Sequence, residues 1–349
     1  HLKDKEGKLP RSLNSNGELV TSSSDWWCSG FFPGVLWYLY ENNKGSEELF
    51  DYANLYTKRI EKEQFNTSTH DLGFMLYCSY GNGFRLNPTS ESEGVLINGA
   101  HALSARYNPV VKCIRSWNKW RDYSYPVIID NMMNLEMLMW AYKRTGDDTF
   151  KNIAISHANT TKLHHFREDY SSFHVVAYDL KSGKVLQRGT DQGYGDDSSW
   201  ARGQAWALYG YTMMYRETGN EDYLNLAWHI ADFILNHPHL PKDKIPYWDF
   251  DSPGIPDDYR DSSSAAIIAS ALLELSKYSE GHRCERYYTV AEQQLRMLAS
   301  DEYMAEVGTN GFFILKHGVG NIPQNSELDA PLSYGDYYFI EALLRYRNY

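Results

Sequence analysis

Six apolar stretches recur along the chain, and each begins with a cluster of polar or aromatic residues. The stretches are residues 31–40, 72–80, 132–142, 205–215, 262–278 and 337–346. The third is apolar around nearly its whole circumference, which is typical of a helix enclosed by other helices. Because the polar clusters stand at the same end of every stretch, the pattern predicts inner helices whose beginnings surround one pocket.

A second, amphipathic set of segments alternates with the first. These segments are predicted to be helices near 46–63, 92–106, 148–165, 221–236 and 284–300. In the fourth, Leu224, Ala227 and Ala231 recur at the spacing of one helix face. Gly146 and Gly219 each follow an apolar stretch, where the absence of a Cβ suits a left-handed helix C-cap.

Apolar inner helices paired with amphipathic outer ones predict an all-α fold, an (α/α)6 barrel with about six helices in each layer. No linker or low-complexity tract divides residues 1–349, so we expect one domain. A sixth outer helix is expected before residue 1. Residues 173–189 alternate in polarity and predict a small β-hairpin, whereas residues 238–260 contain five prolines and predict a loop.

Composition excludes several classes of function. The net charge of -11, with no basic stripe, argues against nucleic-acid binding. No run of about 18 apolar residues is present that would span a membrane. The four cysteines form no CxxC pair and the histidines lack metal-ligand spacing, so we expect neither a metal site nor a cofactor. Aromatic residues reach 15% of the chain, which suits a carbohydrate cleft but equally suits helix interfaces.

Two carboxylates are the leading candidates for chemistry. Asp71 and Asp130 each sit at or just inside the start of an inner helix. An Asp there often does no more than cap the helix, but His70 and Asn131 beside them are companions that capping does not require. Two carboxylates that face one pocket can differ in pKa, so that one stays protonated as a general acid.

Arg202 and Trp206 are four residues apart and therefore share a helix face. An inward Arg at this end would bind a carboxylate through two N–H groups, and a Trp would stack on a sugar ring. Trp27 is a second candidate wall, although core packing explains either Trp equally well. His174 on the predicted hairpin and Gln192 beyond it are polar candidates that, taken alone, suit structural roles.

Several motifs, read together, are more specific than any of these residues. They are Trp27-Cys-Ser-Gly-Phe-Phe-Pro-Gly, His70-Asp-Leu-Gly-Phe, Asp130-Asn-Met-Met-Asn-Leu, Asp191-Gln-Gly-Tyr, Ser199-Trp-Ala-Arg-Gly-Gln-Ala-Trp and Tyr334-Gly-Asp-Tyr-Tyr. In order and spacing they resemble the unsaturated glucuronyl hydrolases, glycoside hydrolase family 88. The resemblance extends through nearly the whole chain and implies an (α/α)6 barrel that acts on sugars left by polysaccharide lyases.

Such sugars carry a C4=C5 double bond in a uronic acid at the non-reducing end. The resemblance implies hydration of this vinyl ether rather than displacement at the anomeric carbon, so the usual geometry of glycosidase carboxylates need not apply. Asp130 matches the family's general acid/base, and Asp71 matches its second essential carboxylate. His174, Gln192 and Arg202 match polar residues near the sugar ring and the attacking water.

The resemblance also assigns the rest of the pocket. Trp27 and Trp206 match stacking walls, and His70 is a neighbouring substrate-side residue. Asp191 departs from the pattern, because some relatives have His there. Lys316 and Ser326 lie in a Gly-rich segment expected to border the second sugar, where they would contact a sulfate or N-acetyl group; an ordinary connection is the alternative.

The favoured hypothesis is a bacterial glycosidase that removes the unsaturated uronic acid from glycosaminoglycan fragments. An unsaturated rhamnogalacturonyl hydrolase acting on pectin fragments is the alternative, and a sugar 2-epimerase or a non-catalytic sugar-binding toroid explains the fold as well. The expected partner is an unsaturated oligosaccharide, without nucleic acid or membrane. We expect a monomer or weak homodimer in the periplasm or cytoplasm, with the periplasm favoured.

Overall fold

The structure is a computed structural model that describes residues 7–349. Its α-helices are α1 (Phe31–Asn42), α2 (Glu47–Lys58), α3 (Asn82–Leu86), α4 (Ser90–Ser104), α5 (Leu135–Thr145), α6 (Asp148–His164), α7 (Ala201–Thr218), α8 (Glu221–Asn236), α9 (Ser262–Ser276), α10 (Gly281–Leu298) and α11 (Ser333–Arg347). A π-helix spans Gly73–Gly81, and 3-10 helices span Glu61–Phe65, Ile129–Asn134 and Asn310–Phe312.

Six helical elements close into the inner ring that the apolar stretches predict. Around the ring, α1 packs against the π-helix, which is followed by α5, α7, α9 and α11, and α11 returns to α1. The helices of this layer are buried on nearly every side; in α9 every residue is buried. Helices that bury their whole circumference need partners on all sides, and the ring with its outer layer supplies them.

The outer layer contains the five amphipathic helices predicted from the sequence. In the described residues, α2 packs on α1, α6 on α5, α8 on α7 and α10 on α9, while α4 covers the π-helix. The first described residues form a hairpin of β1 (Leu9–Leu13) and β2 (Leu19–Ser22) that contacts α11. The sixth outer helix, expected before residue 1, lies outside the described residues.

Short strands join the helices at one end of the ring. They are β3 (Tyr107–Asn108), β4 (Cys113–Ile114), β5 (Pro126–Ile128), β6 (Val175–Tyr178) and β7 (Val185–Gly189). The hairpin predicted over 173–189 is confirmed as β6 and β7, and β5 adds a third, antiparallel strand to it. The proline-rich segment 238–260 is a loop, as predicted. No helix among residues 7–349 combines the length and apolar character needed to cross a bilayer.

The second and third inner helices begin irregularly, which the sequence does not predict. The second is a π-helix and the third starts as a 3-10 helix. Asn134 explains part of this, because its side-chain oxygen accepts the backbone N–H of Phe74 at 3.0 Å. Gly73 allows the approach, since a Cβ there would lie 2.6 Å from the Asn134 Cα. The two helix starts that carry Asp71 and Asp130 are thereby drawn together.

Substitution of Gly73 by Ala is expected to destabilise the fold. The added methyl group would overlap the Asn134 backbone, and such overpacking costs about 1–3 kcal/mol. Gly94→Ala in α4 is the matched control, because a Cβ there meets nothing within 4 Å and should add about 0.5–1 kcal/mol of stability. Urea denaturation measures both free energies of unfolding. Equal stabilities for the two variants would contradict this account of the helix contact.

Candidate active site

The three-stranded sheet brings three polar residues to one of its ends. Asp130 follows β5 after one residue, His174 directly precedes β6, and Thr190 directly follows β7. Because β6 runs antiparallel to both neighbours, the end of β5, the start of β6 and the end of β7 coincide. The Ile129 N–H donates to the His174 carbonyl at 3.0 Å. Backbone pairing therefore fixes His174 beside Asp130.

Asp130 is a buried carboxyl group with an unsatisfied oxygen. Its Oδ2 atom is buried without a hydrogen-bond partner, and His174 Nε2 lies 3.6 Å away. Burial raises the pKa of Asp130 to about 7. The Arg202 charge opposes this rise in pKa, and the Asp71 charge adds a smaller rise. Burial and a second carboxylate are the two effects expected to keep one carboxyl group protonated, and here burial contributes more to the pKa of Asp130 than Asp71 does.

Asp71 stands at the start of the neighbouring π-helix. Its Oδ2 accepts the hydroxyl of Thr69 at 2.7 Å, and its Oδ1 lies 3.2 Å from His70 Nε2. His70 has no exposed surface, and burial lowers its pKa, so its ring is neutral at neutral pH. The side-chain N–H of Asn131 donates to the Ile114 carbonyl at 3.0 Å. His70 therefore lies beside Asp71 as a neutral ring and has no surface open to a substrate.

Arg202 is buried, and its hydrogen bonds go to the protein. Its terminal nitrogens donate to the carbonyls of Val319 and Gly320 and to Gln192 Oε1 at 2.6 Å. Asp261 lies 3.7 Å away. Both N–H groups of one terminal nitrogen are thus occupied, which corrects the prediction of a free fork for a substrate carboxylate. Arg202 instead fastens the segment around Gly320 to the pocket.

The two predicted stacking residues differ in position. Trp27 is half-buried and packs against Phe74 and Tyr334, with ring centroids 5.6 and 4.8 Å apart. Trp206 has no exposed surface, and its ring centroid lies 5.0 Å from that of Phe74. The expectation that Trp206 stacks on a sugar is therefore not met. Its indole nitrogen, which lacks a partner, lies close enough to Asp130 to favour the ionised carboxyl group.

The two predicted contacts for the second sugar, Lys316 and Ser326, each have hydrogen-bond partners in the protein. The Lys316 ammonium donates to the Asp301 carbonyl at 2.7 Å, which directs it toward the turn after α10, and its contact with the second sugar stays a prediction. Ser326 closes a tight turn through backbone hydrogen bonds with Asn321 at 2.8 and 2.9 Å. Through Gly320, this turn stays attached to Arg202.

Sequence reasoning missed Thr190 and Trp117, two of the residues that surround His174. Its Nδ1 lies 3.2 Å from the Asp191 backbone nitrogen and 3.3 Å from the Thr190 hydroxyl. Its ring packs between Trp117 and Trp200. The aromatic pair in Trp-Asn-Lys-Trp at 117–120 was a signal in the sequence, but Thr190 carries none, because only the register of β7 places it there.

A cavity of about 580 Å³ opens at the other end of the ring, away from this cluster. It is lined mainly by residues from the C-terminal parts of the inner helices, with Gly73, Phe74 and Met133 from two helix starts. Several of its charged groups are paired, for example Arg85 with Glu41. Around Asp130, buried polar atoms of His174, Asn131 and Trp206 have no hydrogen-bond partner and face the carboxyl group's surroundings. We therefore place the candidate site at the helix starts. Among residues 7–349, no group of three or more His, Cys, Asp or Glu is arranged to hold a metal ion.

Comparison with known proteins identifies the family. The chain is 48% identical, over 97% of its length and 85% of the relative's, to an unsaturated glucuronyl hydrolase of Formosa agariphila. An unsaturated chondroitin disaccharide hydrolase of Streptococcus pneumoniae is 32% identical over 92% of this chain and 81% of that protein. No family model matches.

The solved structures agree. The crystal structure of an unsaturated glucuronyl hydrolase specific for heparin superposes with a TM-score of 0.95 and 50% identity, covering 98% of this chain and 91% of that one. The recognised motifs, the closed helix ring and these relatives lead to one conclusion. The chain belongs to the unsaturated glucuronyl hydrolases, glycoside hydrolase family 88.

Proposed function

We propose that this enzyme removes the 4,5-unsaturated uronic acid from glycosaminoglycan fragments by hydrating its C4=C5 bond, with Asp130 as general acid and base. The observation that carries the assignment is the buried Asp130 carboxyl group, whose pKa is raised to about 7. Protonation of a carbon atom requires an acid that still holds its proton near neutral pH. An Asp with an ordinary pKa of about 3.9 would have lost that proton.

The proposed reaction begins with transfer of the Asp130 proton to C4. The electron pair of the double bond forms the new C–H bond, and the ring oxygen stabilises the positive charge at C5. Water then adds to C5 and returns a proton to Asp130, so the acid is regenerated. The resulting hemiketal opens the ring, and the exposed hemiacetal at C1 expels the second sugar. One water molecule is consumed for each glycosidic bond that is broken.

The surrounding residues divide into two proposed roles. Asp71, which accepts the Thr69 hydroxyl, contributes a negative charge that raises the pKa of Asp130 and helps position the sugar. Arg202 keeps Gln192 and the segment around Gly320 in place, and its charge draws an anionic uronate toward the site. Trp27, with its partly exposed ring, is the proposed stacking wall.

A heparin-type fragment is the proposed substrate. The support is the 50% identity to an enzyme specific for heparin, compared with 32% to a chondroitin disaccharide hydrolase. The cations near the pocket segment are already paired: Arg11 with Glu327, and Lys316 with the Asp301 carbonyl. We therefore expect no strong requirement for a sulfate on the second sugar.

Asp130→Asn is expected to abolish turnover while leaving substrate binding nearly unchanged. The amide keeps the shape of the side chain but cannot transfer the proton, and loss of a general acid costs about 10²–10⁴-fold in rate. Loss of the 4,5-double-bond absorbance measures turnover, and tryptophan fluorescence titration measures binding. Asp122→Asn, at a fully exposed carboxylate, is the control. A near-normal rate for Asp130→Asn would refute the assignment.

The pH profile should report the protonated state of Asp130. Since its pKa is about 7 and the proton is needed, kcat/KM should fall as the pH rises through about 7. Asp71→Asn removes a like charge, which lowers the pKa of Asp130 and should move this alkaline limb to lower pH.

Asp336→Asn tests whether another buried acid produces the limb. Burial also raises the pKa of Asp336 to about 7, but its carboxylate accepts the backbone N–H groups of Ile314 and Leu315. We expect a folded Asp336→Asn variant to keep the alkaline limb of the kcat/KM profile at the wild-type pH. If the alkaline limb moves in Asp336→Asn but does not move in Asp71→Asn, the titration of Asp336 produces this limb.

The substrate proposal is tested with unsaturated disaccharides from heparin, chondroitin and pectin lyases. We expect the highest kcat/KM on an unsulfated heparin-type disaccharide, lower values on chondroitin products and none on pectin products. Ultraviolet absorbance follows all three reactions under the same conditions. Preference for chondroitin products would overturn the heparin assignment while leaving the hydration chemistry intact.

A further inference from the structure

The surroundings of His174 determine which of its ring nitrogens carries a proton. The Asp191 backbone nitrogen lies 3.2 Å from Nδ1. An amide N–H can only donate, so Nδ1 must be the unprotonated acceptor. Burial lowers the pKa of His174 well below its usual value, which keeps the ring neutral at neutral pH. Its single proton therefore resides on Nε2.

The Thr190 hydroxyl supports the same tautomer. Its Oγ1 accepts the Gly193 N–H at 2.8 Å, which leaves the hydroxyl hydrogen free to donate to His174 Nδ1, 3.3 Å away. The Thr190 N–H in turn donates to Asp196 Oδ1 at 3.1 Å. Arg121 holds that carboxylate through two hydrogen bonds of 2.6 and 2.8 Å. The turn after β7 is thus fixed before any substrate arrives.

The protonated nitrogen faces Asp130. His174 Nε2 and Asp130 Oδ2 are 3.6 Å apart, and both atoms are buried without another partner. Rotation of the imidazole is restricted, because its centroid lies 5.8 Å from that of Trp117 and 4.5 Å from that of Trp200. A shift of less than about 1 Å on substrate binding would complete a normal N–H···O hydrogen bond.

We propose that Thr190 is a positioning residue: the Asp191 N–H sets the Nε2–H tautomer of His174, and the Thr190 hydroxyl holds the ring so that this N–H points at Oδ2 of Asp130 and the transferable proton resides on Oδ1. If the proton of Asp130 were on Oδ2, it would face the proton on His174 Nε2 and repel it. The acidic proton therefore resides on Oδ1. As the Oδ1–H bond breaks and the C4–H bond forms, the N–H stabilises the new carboxylate. This inference rests on the proposed function, because it assigns the oxygen that delivers the proton.

The other ionisable groups around the pair do not depend on Thr190. Arg202 favours the ionised form of Asp130 and Asp71 disfavours it. His70 and His165 lie near His174, and burial lowers the pKa of both, so they remain uncharged at neutral pH. Loss of the Thr190 hydroxyl should therefore change the hydrogen bond to Asp130 without changing these charges.

The first test observes the tautomer directly in the wild-type enzyme. Long-range proton–nitrogen NMR on protein labelled with ¹⁵N-histidine distinguishes Nε2–H from Nδ1–H rings. His174→Gln identifies the relevant signal among the twelve histidines. A ring protonated at Nε2 is expected, and a ring protonated at Nδ1 overturns the proposal. This readout requires no turnover, so it is independent of the proposed function.

The second test compares Thr190→Val, which removes the hydroxyl at nearly constant volume, with Thr190→Ser, which keeps it. Thr190→Val should lower kcat about tenfold, as expected for one hydrogen bond in the transition state, with little change in KM. Its alkaline limb should move to higher pH, because a ring released from the Thr190 hydroxyl no longer aims its N–H at Asp130, and a carboxylate with a weaker N–H donor has a higher pKa. Thr190→Ser should keep kcat and the alkaline limb of the pH profile at their wild-type values.

A Thr190→Val enzyme with wild-type kcat and pH profile would overturn the positioning role. A variant that is merely less stable would lose activity without moving the limb, and this outcome would also count against the proposal. If Thr190→Val does not fold, the wild-type NMR measurement still decides the tautomer. If the wild-type enzyme consumes no unsaturated sugar, the proposed function fails, whereas the NMR spectrum still shows which nitrogen of His174 is protonated.

Discussion

The cost of burying charge inside the helix ring is the constraint on which this structure depends. An ion removed from water without partners is far more costly than an unpaired neutral group. The buried charge of Arg202 is compensated by hydrogen bonds to two backbone carbonyls and to Gln192. The buried charge of Asp261 is compensated because the side chain caps α9 and accepts the Val319 N–H. Asp130 is different, because its Oδ2 has no donor within bonding distance. Keeping its proton is the remaining way to lower the free energy of the folded state.

The same constraint organises the other end of the ring. Glu274 accepts Arg216 at 2.8 Å and lies 2.7 Å from Arg345, and Glu341 accepts the hydroxyl of Tyr209 at 3.0 Å. These contacts join α7, α9 and α11 and pair the charges there. Buried networks of this kind rigidify a fold when every member is satisfied. The paired end therefore serves as a frame, and the unpaired polar atoms of the candidate site lie at the helix starts.

Much of the fold was predictable because helix periodicity is a local property. The segment predicted near 221–236 is α8, and the hairpin predicted over 173–189 is β6 and β7. Prediction was wrong where a distant partner decides the outcome. Arg202 was predicted to bind a substrate carboxylate, but two of its three acceptors lie 117 and 118 residues further along the chain. Residue type alone does not show such partners, nor that Phe74 and its neighbours bury Trp206 completely.

The hydrogen bonds at the site also connect acid catalysis with the second sugar. Gln192 belongs to the turn whose preceding residues hold His174, and its side chain accepts Arg202. Arg202 in turn holds Gly320, which leads into the segment proposed to border the second sugar. Orientation of the acid and placement of that segment are therefore parts of one network. Binding energy from the second sugar can then be used to align the reacting groups, and changes in that sugar should affect kcat as well as KM.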